Sequence, residues 1–155
     1  MGTSTPTRGR LIDHIMLVVR DLAASRNFYE AVLGSLGIPL GGESEDCFWA
    51  HELFVCREGS AAARGHPGGP HHLALRARQR EQVDDTHAIA LVHGGRDIRG
   101  PGEHPLHAGH YAGFVFDPDG NHIEIVCHGP GLRRLLSHGI GARDMHAIHS
   151  MPTRP

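Results

Sequence analysis

The 155-residue sequence contains no lysine; all 15 of its basic side chains are arginine. Schiff-base chemistry and a phosphate loop of the G-K-[ST] type both need an ε-amine, so both are excluded. Aromatic residues are only 5% of the chain, and no apolar run outlasts Ile15–Val19, far short of the roughly 20 residues that span a bilayer. Concentrated positive charge is missing too. The formal net charge is −2 with the arginines scattered, so neither nucleic acid nor a membrane surface is an expected partner. The opening MGTSTPTRGR lacks the apolar stretch of a signal peptide, and the expectation is a cytoplasmic protein with a flexible segment over 1–10.

Cysteine is sparse: Cys47, Cys56 and Cys127 form no C-x-x-C pair, which argues against a disulfide framework or a zinc ribbon and for small reduced core residues. Histidine is the excess, with 15 copies. Most are expected on the surface, so each functional candidate needs a positional argument.

Leu11–Val19 reads as a strand buried on both faces. Asp21 stands where a helix N-cap belongs, and Leu22, Phe28, Tyr29, Val32, Leu33 and Leu36 follow at helical spacing until Gly34 to Gly37 stop the helix. Two short strands are expected near Cys47–Ala50 and Glu52–Cys56, and the Gly-, Ala- and Pro-rich stretch to Pro70 reads as a linker. The second half repeats the order: a strand at His71–Ala77, a helix at Glu81–Val92, and strands at Tyr111–Phe116 and Asn121–Cys127 around Asp117-Pro118-Asp119-Gly120, which has the residues of a type I turn. Arg96–Gly109 reads as a long surface loop, with His104 to His110 as a mobile lid, and 129–155 as a loosely held tail with a short helix at Leu132–Ser137.

The halves superpose at an offset of 58: His14-Ile15-Met16-Leu17 lies on His72-Leu73-Ala74-Leu75, Leu33 on Leu91, and Gly37 on Gly95. The fold class is therefore α+β, built from two similar halves.

Side chains at i and i+2 share a strand face. Ile15, Leu17 and Val19, with Leu73, Leu75, Ile123 and Ile125, must meet the helices. That leaves His14, His72 and, on the last strand, His122 and Glu124 on the opposite face. Two imidazoles at matched places in a repeat, joined by one carboxylate, make an open divalent-metal site. Taken singly, the same residues also read as two satisfied histidines and a solvated glutamate.

Ile12-Asp13-His14-Ile15, Val19-Arg20-Asp21-Leu22-Ala23-Ala24-Ser25 with Phe28-Tyr29, His72-Leu73-Ala74-Leu75, and Asp117-Pro118-Asp119-Gly120-Asn121-His122-Ile123-Glu124 together resemble the vicinal oxygen chelate superfamily. That group includes glyoxalase I, bleomycin-resistance proteins, fosfomycin-resistance enzymes and extradiol dioxygenases. The likeness runs over roughly residues 10 to 128. It implies a glyoxalase-like pair of βαβββ modules, 11–58 and 71–128, joined by linker 59–70, with a mixed sheet curled into a cup around a divalent metal ion (Zn, Ni, Mn or Fe). Carried over, the metal ligands are His14, His72 and Glu124.

The fourth ligand of many glyoxalase I members falls on Phe54, which sits opposite Glu124 between the modules, and Glu52, two residues away, is the substitute as ligand or general base. Extradiol dioxygenases carry a catalytic tyrosine ten residues before the carboxylate ligand, where this chain has Phe114. The fosfomycin-type transferases surround their substrate with lysine among other groups, and here Arg76 is the cation on the metal face. The resemblance thus implies a metal-dependent lyase or isomerase acting on a small substrate with adjacent oxygens. Its catalytic residues are Glu124 and Glu52, and Arg76, Tyr111, His122, Phe54 and Trp49 contact substrate. The alternatives are a non-catalytic drug-sequestering dimer and a dioxygenase-type oxidoreductase. A homodimer is expected, with modules paired within a chain or across the dimer.

Overall fold

The structure is a computed structural model that describes residues 12–105 and 109–129. The flexible start, the tail and the short helix expected at Leu132–Ser137 lie outside the described residues. Ten elements follow in order: β1 (Ile15–Val19), α1 (Leu22–Ser35), β2 (Gly42–Glu43), β3 (Cys47–Ala50), β4 (Leu53–Arg57), β5 (His72–Arg76), α2 (Arg80–Val92), β6 (Arg96–Glu103), β7 (His110–Phe116) and β8 (His122–His128). The order is βαβββ twice. Each set makes its own four-stranded mixed sheet, β1-β4-β3-β2 and β5-β8-β7-β6. No strand of one sheet pairs with a strand of the other, so the single chain does not close them into the expected cup.

The repeat is carried through the ladders. Met16 pairs with Phe54 in the parallel β1–β4 ladder, and Ala74, 58 residues after Met16, pairs with Glu124 in the parallel β5–β8 ladder. Phe54 therefore occupies in the first half the position that Glu124 occupies in the second.

Helix α1 forms because Asp21, in extended conformation, accepts the Ala24 amide at 2.9 Å and satisfies one orphan donor of the first turn. Phe28, Tyr29, Val32 and Leu33 then fall on one buried face. Gly37, at φ +78°, ends the helix in the left-handed region that glycine enters without a Cβ clash. The buried face meets the helix-side residues of both sheets, Leu17, Val19, Val55, Val115, Ile123 and Ile125, and those of α2, Val83 and Ala90, in one core. Each large apolar side chain so buried contributes about 1.5–3 kcal/mol.

β1 is buried on one face only: Leu17 and Val19 are in the core, Met16 and Val18 are half-buried, and Ile15 is exposed. The aliphatic run over-stated its burial because the face away from the helices has no sheet laid over it.

Polar ties join the halves. Tyr29 Oη donates to Asp117 Oδ2 at 2.7 Å, Ser35 Oγ to Thr86 Oγ1 at 2.8 Å, and Arg20 Nη1 to Asp119 Oδ1 at 2.8 Å. Asp117 also accepts from the Asp119 and Asn121 amides and from Asn121 Nδ2, which sets the Asp117–Asn121 turn between β7 and β8. Burial, then the charge of Asp117 and its hydrogen bond, lifts the Tyr29 hydroxyl well above the usual phenol range, so it stays a donor.

The segment expected to be a loop from Arg96 is strand β6, paired antiparallel with β7. Its Gly100-Pro101-Gly102 reads as a breaker, yet on a sheet margin a proline needs no ladder partner. The register shifts between Asp97 and Arg99 and again between Arg99 and Gly102 absorb the irregularity.

Cys47 and Cys56 are not reduced core residues: they stand directly opposite each other on β3 and β4, Cα atoms 4.2 Å apart, and form a disulfide. Cys127 is free and buried. The bond follows from the hairpin register, which the spacing along the chain does not reveal. Among the described residues, no helix is long and apolar enough to cross a membrane.

Candidate functional site

The face of the second sheet that points away from the helices carries His72 and Arg76 from β5, His110 and Phe114 from β7, and His122 and Glu124 from β8. Glu124 lies at the centre. Its Oε2 is 3.1 Å from His72 Nε2 and its Oε1 3.0 Å from His110 Nε2. The His72 Nδ1 in turn meets His122 Nδ1 at 2.9 Å, with the two rings 4.8 Å apart. Side chains of Glu124 and His110 are each 12% exposed, whereas His72 is 47% exposed and opens the group to solvent.

Burial by itself would push the Glu124 carboxyl up. The hydrogen bonds from His110 and His72, with the charges of those imidazoles, outweigh it and hold the group down at about 2. Glu124 is therefore an ionised acceptor over the working pH range. The His122 imidazole is pushed down, first by burial and then by the neighbouring His72 charge, with Glu124 opposing, which favours its neutral form.

His72 and Glu124 fit a metal ion as a pair. Two donors bound to one zinc-sized ion at about 2.0–2.2 Å stand roughly 3–3.5 Å from each other, and His72 Nε2 and Glu124 Oε2 match that separation. A third donor does not join them within the chain: among the described residues no group of three or more His, Cys, Asp or Glu side chains is arranged to hold an ion. His14 stands on the first sheet, just ahead of β1, whose pairing begins where the Ile15 amide donates to the Glu52 carbonyl. Its Nδ1 meets Asp13 Oδ1 at 2.8 Å, its side chain is 57% exposed, and its ring meets the Phe54 ring edge-on at 5.6 Å.

The first sheet presents an aromatic wall on the matching face. Trp49 stacks on Phe54 with centroids 5.8 Å apart and planes 18° apart. The indole lies flat over the backbone of Gly41 and Gly42; a Cβ at Gly42 would sit 2.4 Å from Trp49 Cζ2. Glu52, half-buried, occupies in this half the place that His122 has in the other: it lies two residues before Phe54, as His122 lies two residues before Glu124.

Tyr111 is not part of the group. It lies on the helix side of β7, where its hydroxyl donates to Asp84 Oδ1 at 2.8 Å and Arg80 sits over its ring. The hydrogen bond to Asp84, then burial and the Asp84 charge, raises its hydroxyl above the usual phenol value. His110, placed by the sequence at the end of a loop, meets Glu124 from β7. Nor is His104 on an open lid: it is buried, its ring against His110 at 5.2 Å and Phe114 at 5.9 Å, while 106–108 lie outside the described residues.

A doubled βαβββ unit with a histidine–carboxylate group on one sheet face and an aromatic wall on the other defines a class of two-module α+β scaffold. Comparison with known proteins identifies it. The Glyoxalase/Bleomycin resistance protein/Dioxygenase superfamily matches residues 11–35 and 50–125, more than half of the chain, and the chain belongs to that superfamily.

Among solved structures it is similar to a glyoxalase/bleomycin resistance protein from Albidiferax ferrireducens T118, at 30% identity and a TM-score of 0.63, over 78% of this chain and 100% of that one. A lactoylglutathione lyase from Agrobacterium tumefaciens, 18% identical with a TM-score of 0.56 over 79% of this chain and 95% of its own, shares the fold. A 2,2',3-trihydroxybiphenyl dioxygenase of Sphingomonas paucimobilis is 29% identical over 145 residues. The match takes in 88% of this chain but spans only 48% of that relative's length.

Proposed function

We propose that the protein is a divalent-metal-dependent enzyme, a lyase or isomerase acting on a small substrate that offers two neighbouring oxygens. The observation that carries this reading is the His72 Nε2–Glu124 Oε2 pair at 3.1 Å on an open sheet face. His72 and Glu124 would hold the ion with His14, which belongs to the other sheet. The working unit is then a homodimer in which His14 of one protomer faces His72 and Glu124 of its partner. The open sheets of the single chain support that pairing across two copies over pairing within one.

A divalent ion held there stabilises negative charge that develops on a chelating substrate oxygen. The protein's own groups do the rest. Before an ion is bound, hydrogen bonds from His72 and His110 keep Glu124 ionised. Half-buried Glu52 would be the carboxylate that takes a substrate proton. Arg76, exposed on the same face as His72, attracts an anionic substrate, and Trp49 with Phe54 supplies an apolar wall that excludes water from one side.

The Sphingomonas relative favours a second reading, a dioxygenase acting on an aromatic diol. Phe114, directly opposite Glu124 on β7, offers no hydroxyl at the place where the resemblance puts the catalytic tyrosine, which weighs against it.

Divalent-ion titration of the full chain, followed by metal analysis and sedimentation, tests the first reading. Binding is expected in the wild type and lost in His14→Ala, His72→Ala and Glu124→Ala. Turnover is then screened with α-keto hemithioacetals, catechols and epoxide antibiotics. A wild-type protein that binds no divalent ion overturns the proposal, and tight binding of a planar drug indifferent to chelator would establish a sequestering protein instead.

A further inference from the structure

Glu124 and three histidines form one unbroken array, His122–His72–Glu124–His110, and every link in it is a side-chain hydrogen bond of 2.9–3.1 Å. A carboxylate only accepts, so His72 and His110 each turn an Nε2–H toward Glu124. A neutral His72 with its hydrogen on Nε2 has a bare Nδ1, and the bond to His122 is then donated by His122 Nδ1–H. Presenting His72 Nε2 to a cation reverses this arrangement. The His72 hydrogen moves to Nδ1 and is donated to His122 Nδ1, and the His122 hydrogen moves to its Nε2. Two hydrogens are on the pair before and after, so the exchange releases no proton from it.

The carboxylate is divided in a matching way. His110 comes from β7, four residues before Phe114, which is the direct cross-strand neighbour of Glu124. Ala112, the small residue between them on the same face, leaves room for the imidazole to reach Oε1. Only Oε2 is left on the His72 side.

Resting on the metal reading above, we infer that His122 and His110 are positioning residues for that centre. His122 selects the His72 tautomer whose Nε2 faces a cation. His110 holds Oε1, so that Glu124 offers a single oxygen. Outer partners of this kind change metal affinity by about 10–100-fold when removed. The array also gives a part of the large histidine content a definite structural task.

The experiment uses the full chain with 15N-labelled histidine, and Zn(II) as the probe. Long-range 1H–15N spectra of the unaltered protein are expected to show the hydrogen of His122 passing from Nδ1 to Nε2 on zinc addition, and that of His72 passing from Nε2 to Nδ1. In parallel, Zn(II) affinity is expected to fall about 10–100-fold in His110→Phe and in His122→Phe, with partial recovery in His110→Gln and His122→Gln, whose amides retain hydrogen-bonding groups. Thermal melts identify any variant that fails to fold, and for such a variant the spectra of the unaltered protein decide. Zinc binding with unchanged tautomers, together with unchanged affinity in the folded variants, overturns the inference and leaves the metal reading standing. A wild type that binds no zinc overturns both.

Discussion

Replacing Tyr29 with phenylalanine removes one hydroxyl and nothing else, and it tests how the two halves are held together. The hydroxyl donates to Asp117 Oδ2 at 2.7 Å, with both residues fully buried. A hydrogen bond to a charged group contributes about 1.5–3 kcal/mol. Asp117 keeps three further donors, the Asp119 and Asn121 amides and Asn121 Nδ2, so the lower half of that range applies, about 2 kcal/mol. For a chain of this size such a loss lowers the melting temperature by roughly 4–8 °C. Asp117→Ala strands all four donors at once and should cost more, about 3–5 kcal/mol. Thermal and urea unfolding followed by circular dichroism measures both. A Tyr29→Phe protein melting within about 1 °C of the wild type, where some 4–8 °C is expected, would refute the claim that this buried pair ties α1 to the β7–β8 turn.

Three further outcomes are expected. The folded-state carboxyl of Glu124 is depressed, so its contribution is complete above about 4.5 and is lost as the pH falls toward about 2; the unfolding free energy from urea titration should drop through that window by up to about 3 kcal/mol, and Glu124→Gln should remove that part of the slope. Alkylation of the denatured, unreduced protein should modify Cys127 alone, and the double change Cys47→Ala, Cys56→Ala should cost about 2–3 kcal/mol by unfolding, given a separation of nine residues. Gly42→Ala should displace the indole whose Cζ2 lies 2.4 Å from the new methyl, costing about 1–3 kcal/mol, and the emission of the chain's single tryptophan should shift with it; unchanged emission would show that the ring does not rest there.

The repeat was legible because it lies in pattern: His14 on His72, the aliphatic helix-side residues, and the Asp117–Gly120 turn can all be read by period and turn chemistry. The side of each strand was legible wherever the two-residue rule was applied, as for Glu124 and His122. Applied to β7 as well, it separates Tyr111, with Gly113 and Val115 on the helix side, from His110, Ala112 and Phe114 on the Glu124 side. What stayed hidden depends on register or on partners distant in the chain. The Cys47–Cys56 bond needs the β3–β4 alignment. Strand β6 is masked by Gly100-Pro101-Gly102, because local propensity speaks against a strand that only pairing with β7 sustains. The place of His14 relative to His72 follows from how two sheets meet, and within one chain they share no ladder.

Each sheet has one regular border and one spoiled one. β2 is only two residues long and β6 is interrupted by Pro101 and two slips of register, whereas β1 and β5 run straight for five residues each. A strand arriving from another molecule finds continuous docking on one side and none on the other. Growth by strand addition is therefore barred at the β2 and β6 borders and confined to β1 and β5.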